Sequence, residues 1–446
     1  MSSKPHRTRR GTALISGFAV FTVITAPAAI ARADQVAARP AEASADRVLE
    51  ALDGSRIGDL SLIETLLRQG QISTSDRALL EAQRAAALLR DKDSKEALAR
   101  YFESGDARPK RLERAHTMAA EGAFFAGRYS EAARHAANIL AAPGSRTADE
   151  TEAIERLKRI AELLTKVPPQ ALLDRGSGAP VPIDRDKVGL IRMPIRLGTS
   201  VQEAVIDTGA NLSVVSASTA RRLGVRMMEG DADVGNSLGG GVAVRIGIAD
   251  RLEVAGAVLS NVVFLVMEDE ALTFPVPGGY RIEAIIGLPV LRAIGRFSFE
   301  RADSFRVEPP QPVAVTAAKL RMSGSNPYAV VAIAGKEHPL FLDTGANSSL
   351  LSVRFAREHP ELKGAQRLES GRAGAGGVER VRRQRIQQVP IRIGKVEAKL
   401  SSLDIENEPT PGEEDRYGVL GADLLRVFEK VTLDFQAMTL EVDAPA

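Results

Sequence analysis

The chain has 446 residues, enough for two or three domains with cores of their own. At 44% hydrophobic and 26% charged it is a globular composition, and the absence of Cys excludes disulfides, zinc-thiolate sites and a Cys nucleophile. The formal charge of +2 conceals a basic leader; without residues 1–33 it becomes −3, which gives no electrostatic case for a DNA or RNA partner.

Residues 1–33 read as a secretory signal. Lys4, Arg7, Arg9 and Arg10 precede an apolar run that reaches Ala31, and Ala31-Arg32-Ala33 is a small-x-small cleavage site. The expectation is an exported protein, periplasmic or secreted. The alternative is an uncleaved anchor, which the length of the run permits although Gly17 and Pro27 speak for cleavage. No later segment approaches the length of a membrane span.

Residues 44–166 carry helical periodicity. Leu49, Leu52, Leu60, Ile63 and Leu66 recur at helical intervals, as do Leu79, Leu80, Ala87 and Leu88. Asp93-Ser94-Lys95-Glu96-Ala97 and Arg128-Tyr129-Ser130-Glu131-Ala132 are offset by 35 residues, a spacing that resembles tetratricopeptide repeats. The reading is a helical domain, either stacked pairs or a plain helical bundle, serving as a partner-binding surface or a structural cap. Pro168, Pro169, Gly176, Gly178, Pro180 and Pro182 then mark residues 167–187 as a linker.

From residue 188 the chain reads twice. Val205-Ile206-Asp207-Thr208-Gly209-Ala210-Asn211 and Phe341-Leu342-Asp343-Thr344-Gly345-Ala346-Asn347 are each an apolar strand running into an acidic turn. Each is followed by a short helix, Ala217–Leu223 and Val353–His359, and then by a Gly-rich hairpin tip. Gly239-Gly240 and Gly376-Gly377 mark the two tips. Each unit closes on an apolar-apolar-Gly segment, Ile285-Ile286-Gly287 and Val419-Leu420-Gly421. Asp207 to Gly240 and Asp343 to Gly376 are both 33 residues; Asp207 to Gly287 is 80 and Asp343 to Gly421 is 78. Such duplication implies two copies of one fold about a pseudo-two-fold axis, lobe 1 at 188–308 and lobe 2 at 313–443, joined by the stiff Pro-rich connector 309–312.

Paired acidic turns suit a chemistry that needs two carboxyls. Like charges sharing a site oppose each other's ionisation, so the pair retains one proton; one Asp can then act as base while the other acts as acid.

The two lobes resemble retropepsin-like aspartic proteases, two tandem copies in one chain. The resemblance implies closed β-barrel lobes, a multi-domain α + β chain and an endopeptidase activity on a peptide or protein substrate. It implies a catalytic pair, Asp207 and Asp343, and cross-lobe hydrogen bonds from Thr208 and Thr344. Gly209 and Gly345 would admit backbone N–H groups to the carboxylates. Ala210 and Ala346, where larger bilobal relatives carry Ser, fit the retropepsin pattern. Gly239, Gly240, Gly376 and Gly377 would be flap tips closing over substrate. Neither a cofactor nor a metal is expected, and the chain is expected to act as a monomeric pseudo-dimer.

Two departures stand out. Leu288-Pro289 occupies the place where lobe 2 has Ala422-Asp423, which leaves the start of lobe 1's last helix open, although Pro suits a helix's first turn. The second flap region carries Arg372, Arg380, Arg382, Arg383 and Arg385, read as a solvated face on an edge strand. Two other functions compete: an interaction protein with inert protease-like lobes, and a precursor whose helical region covers the cleft.

Overall fold

In the computed structural model the described residues are 15–18 and 44–444, apart from short segments at 55, 58, 70–71, 143–145, 236–240, 275–277, 315–316, 363–365, 375–376 and 410–413. Most of the expected signal therefore lies outside the described residues; Ile15–Phe18 form a short strand parallel to Gln366–Gly374. Among the described residues no helix is long and apolar enough to cross a membrane.

Among the described residues seven helices come first: α1 (Ala45–Asp53), α2 (Ser61–Gln69), α3 (Thr74–Ala87), α4 (Asp91–Glu103), α5 (Pro109–Phe125), α6 (Tyr129–Ala141) and α7 (Ala148–Leu163). Their starts follow from local chemistry. Ser44, Ser73 and Thr147 cap α1, α3 and α7 through their hydroxyls, Thr147 and Glu150 form a reciprocal capping box, and Pro109 sits in the first turn of α5. α3 packs on α4 and α5 on α6 as paired helices. The equivalent helix starts, Asp91 and Tyr129, are 38 residues apart, and each follows a left-handed residue, Leu89 or Gly127. The structural repeat is thus three residues longer than the spacing of the two Glu-Ala motifs, because Ala97 sits a turn deeper in its helix than Ala132 does.

The stretch with linker composition does more than connect. Ala171–Asp174 pairs antiparallel with Ala257–Met267, and Val181–Pro182 pairs with Ser304–Val307. Both are edge strands, which is why Pro182 is tolerated in the second.

Each lobe closes a six-strand ring with the same connectivity. In lobe 1 the order is 191–197, 200–206, 284–286, 213–216, 257–267, 241–254 and back to 191–197. In lobe 2 it is 326–333, 336–342, 418–420, 350–351, 396–406, 377–393 and back to 326–333. Both rings place the last short strand parallel to the strand that delivers the Asp: Ile286 lies beside Ile206, and Leu420 beside Leu342.

The lobes share a further sheet in the order 318–323, 439–442, 430–434, 296–300, 304–307, 181–182. Arg296–Glu300 of lobe 1 runs antiparallel to Lys430–Asp434 of lobe 2, with Ser298 opposite Thr432 at the pseudo-two-fold. Phe297, Phe299 and Phe305 are buried beneath it, stacked at 5.3 Å in the Phe297–Phe305 pair, each worth roughly 1.5–3 kcal/mol of apolar burial. Arg296 is buried and reaches across the seam to Asp434 at 3.1 Å and Glu441 at 2.9 Å. Replacing it by Ala strands two lobe 2 carboxylates in low dielectric, so Arg296→Ala is expected to cost about 3 kcal/mol in chemical denaturation.

The lobe 1 helix after the Gly, Leu288–Ile294, is regular α with Pro289 in its first turn, whereas its lobe 2 counterpart, Ala422–Arg426, is a 3₁₀ turn. The basic strand of lobe 2, Gly377–Ile393, is not an edge: it pairs with Gln366–Gly374 on one side and Val396–Glu406 on the other. Nor is its Arg run uniformly solvated. Strand alternation turns Arg383 inward, where it is buried, and Arg385 pairs with Asp404 at 2.6 Å, while Arg380 and Arg382 face solvent. The side chain of Arg372 lies outside the described residues.

Candidate active site

Each acidic turn is fixed by its own lobe before it meets the other. The strand Ser200–Ile206 delivers Asp207, whose N–H donates to Ile286 O at 3.0 Å; Lys336–Leu342 delivers Asp343, whose N–H donates to Leu420 O at 3.0 Å. Asp207 Oδ1 accepts from the N–H groups of Gly209 (2.8 Å) and Ala210 (3.1 Å), and Asp343 Oδ1 accepts from Gly345 (2.8 Å) and Ala346 (3.1 Å). The turns are therefore superimposable in their hydrogen bonding.

Between lobes the turns interlock. Thr208 N–H donates to Thr344 Oγ1 (3.1 Å) while Thr208 Oγ1 donates to Leu342 O (2.7 Å). Reciprocally, Thr344 N–H donates to Thr208 Oγ1 (3.0 Å) and Thr344 Oγ1 to Ile206 O (2.8 Å). Each hydroxyl is donor and acceptor at once, a role that Val could not fill. Each carboxyl lies over the other turn's glycine. A Cβ on Gly209 would come within 2.7 Å of Asp343, and one on Gly345 would collide with Asp207.

Asp207 and Asp343 are 0% and 1% exposed. Burial, and then the charge of Asp343, push the Asp207 carboxyl well above the ordinary carboxylate range. Burial also raises Asp343, opposed by the hydrogen bond with Asp207 and by the Gly345 and Ala346 N–H groups. Apart from its twin carboxyl, Asp207 Oδ2 finds no donor among the described residues. Carboxylates only accept, so a proton held between the two carboxyls is what would satisfy it.

The scaffold behind the pair is also duplicated. Gly287 N–H donates to Ser213 Oγ at 3.1 Å and Gly421 N–H to Ser349 Oγ at 3.0 Å. Leu288 N–H and Ala422 N–H donate to the carbonyls of Ala210 and Ala346. A side chain on Gly287 would run into Leu212 O, and one on Gly421 into the Ser348 carbonyl carbon, each at 2.6 Å. The two serines were legible as a repeated Ser six residues after each Asp, but spacing alone gave them no task. Asn211 and Asn347, also equivalent, differ. Asn347 Nδ2 donates to Val188 O at 2.8 Å, while the fully buried Asn211 amide finds no partner among the described residues.

Residues 193–290 match the family model for aspartyl protease, and residues 329–427 match that for gag-polyprotein putative aspartyl protease. The chain carries two aspartyl protease domains in tandem. No curated protein matches it. The two protease domains bring together Asp207, Thr208, Gly209 and Ala210 with Asp343, Thr344, Gly345 and Ala346. Of the expected flap tips in these domains, Gly239, Gly240 and Gly376 lie outside the described residues. Gly377 opens the strand Gly377–Ile393, paired to Gly374. The hairpins that lead to the tips are described: Arg226–Gly235 with Gly241–Val254 in lobe 1, and Gln366–Gly374 with Gly377–Ile393 in lobe 2.

Proposed function

We propose that this chain is an exported aspartic endopeptidase whose two lobes form one active site on Asp207 and Asp343. The observation that carries this reading is the mirrored, mutually buried pair of carboxyls, each held through one oxygen by two backbone N–H groups. With one proton between them, the ionised carboxyl takes a proton from a bound water, which attacks the peptide carbonyl. The protonated partner gives its proton to the carbonyl oxygen, forming a gem-diol. Transfer of a proton to the amide nitrogen then lets the C–N bond break, and the pair returns to its single-proton state. The two β-hairpins would close over an extended peptide and exclude water from this exchange. Export rests on the basic, apolar and small-residue pattern of residues 1–33.

The test is hydrolysis of fluorescently labelled denatured casein, with inhibition by a peptide bearing a hydroxyethylene group in place of the scissile amide. No cleavage under any condition, together with no binding of that peptide, rejects the reading. The pH profile adds a sharper expectation. Neither turn supplies a hydroxyl beside the carboxylates, because Ala210 and Ala346 stand there, and burial raises both groups. The single-proton state is then centred in mildly acidic solution, extending toward neutrality. A plot of kcat/KM against pH should be bell-shaped there; activity confined to strongly acidic pH contradicts it.

A further inference from the structure

The helical domain does not stand apart from the protease lobes. It bridges both of them on the face that carries the aspartates. On lobe 1, Arg156 and Arg159 of α7 grip Asp233 of the flap hairpin, each at 2.6 Å, and Leu163 fills the space where Gly230 has no side chain. On lobe 2, the α1–α2 connection delivers Gly54 O to Arg354 at 3.0 Å and packs Ile57 with Tyr328 and Phe341.

The apolar residues beneath are those of the cleft floor. Strand alternation puts Val205, two residues before Asp207, on the same face as the carboxyl, with Ile285 beside it in register. Phe341 has the same relation to Asp343, with Val419 beside it. A substrate between the lobes has to lie against this face. Yet Val205, Leu212 and Ile285 are almost wholly buried, in one continuous core with Phe124, Leu157 and Ile160 of α5 and α7. Ile57 covers Phe341 on the other side.

We propose that the helical domain is an intramolecular cap: in the full chain it holds the lobe 1 flap and screens the cleft, and proteolysis of substrate requires its displacement. This rests on the endopeptidase reading above and adds its control. The junction is built to open. A cavity of about 380 Å³ separates α3–α6 from Arg292, Met322 and Gly324, so the two bodies are incompletely packed. Among the described residues the polar ties include the Asp233 grip, the Arg354 bond to Gly54 O and a looser Arg292–Asp91 contact at 3.6 Å. Residues 176–180 beside the junction are Gly- and Ser-containing and mostly exposed, a place where the chain can be cut without unfolding either side.

The experiment compares three forms of the full chain: wild type, the triple variant R156E/R159E/I57D, and wild type with a site-specific protease sequence inserted between Ser177 and Gly178 and cut after folding. Each is assayed with labelled denatured casein and with the hydroxyethylene peptide, whose association rate is followed by fluorescence. The expected result is a gain in kcat/KM of roughly tenfold or more in the triple variant or the cut chain, with a matching gain in association rate. Adding Asp207→Asn should remove the activity gained. Faster association with the loosened forms supports the cap even if casein is a poor substrate. Equal activity and equal association in all three forms overturns the cap and leaves the protease standing. Failure of all three to cleave or to bind overturns the endopeptidase reading itself. The cut chain, folded before cleavage, covers the case in which the triple variant misfolds.

Discussion

Asp207→Asn and Asp343→Asn should each reduce peptide hydrolysis by at least about a thousandfold while making the protein more stable at neutral pH. Loss of activity follows because an amide can neither take the water's proton nor share one with its twin. The gain in stability follows from linkage. Both carboxyls are raised above their unfolded values, so the folded state binds protons more tightly than the unfolded chain. That contribution is fully present below the ordinary carboxylate range and is lost as pH rises through the raised folded-state values. At pH 7.5 the wild type therefore carries the cost of buried, partly ionised carboxyls, and a single Asn relieves it by an amount on the order of 1–3 kcal/mol. Chemical denaturation at pH 7.5 and pH 4, on both variants and the wild type, checks the sign. A variant less stable than wild type at both pH values contradicts the shared-proton picture, whatever its activity.

Thr208→Val is the second large effect. The substitution nearly preserves volume but strands the N–H of Thr344 and the carbonyl of Leu342 in a site that is 0% exposed. Each orphaned group costs about 1–3 kcal/mol, so the variant should lose roughly 2–5 kcal/mol. The two turns also lose their register, so kcat should fall more than KM rises. Thr208→Ser keeps the hydroxyl and should recover most of both losses. A Val variant with wild-type kcat would mean that the cross-lobe bonds do not position the carboxyls.

Much of this site could be read before any coordinates, because the sequence states it twice. Asp, Thr, Gly and Ala recur with matching distances to a Gly-rich tip and to a closing Gly, and a duplicated spacing constrains the fold far more than one copy would. Ser213 and Ser349 share that periodicity, but a hydroxyl's task depends on which N–H it meets, and that is set only by the parallel pairing of Ile285–Ile286 with Val205–Ile206. The docking of the helices was illegible for another reason. The apolar stripes of α5–α7 would look the same whether they faced one another, a partner or a protease lobe, since periodicity reports that a face is buried and not against what. The strand Ala171–Asp174 was hidden by its setting among Pro and Gly, which signal irregular backbone locally while an edge pairing is decided by a neighbour far along the chain.

The sheet running through Arg296–Glu300 and Lys430–Asp434 decides how the protein tolerates dilution. A site assembled from two separate chains would be lost on dilution by mass action, whereas here the halves are woven by strands from 181–182, 296–307, 318–323 and 430–442 within one polypeptide. Specific activity should accordingly be independent of protein concentration. Neither half can be lifted out without unpairing Arg296–Glu300 from Lys430–Asp434, so an isolated lobe would carry a bare strand edge open to pairing with another chain.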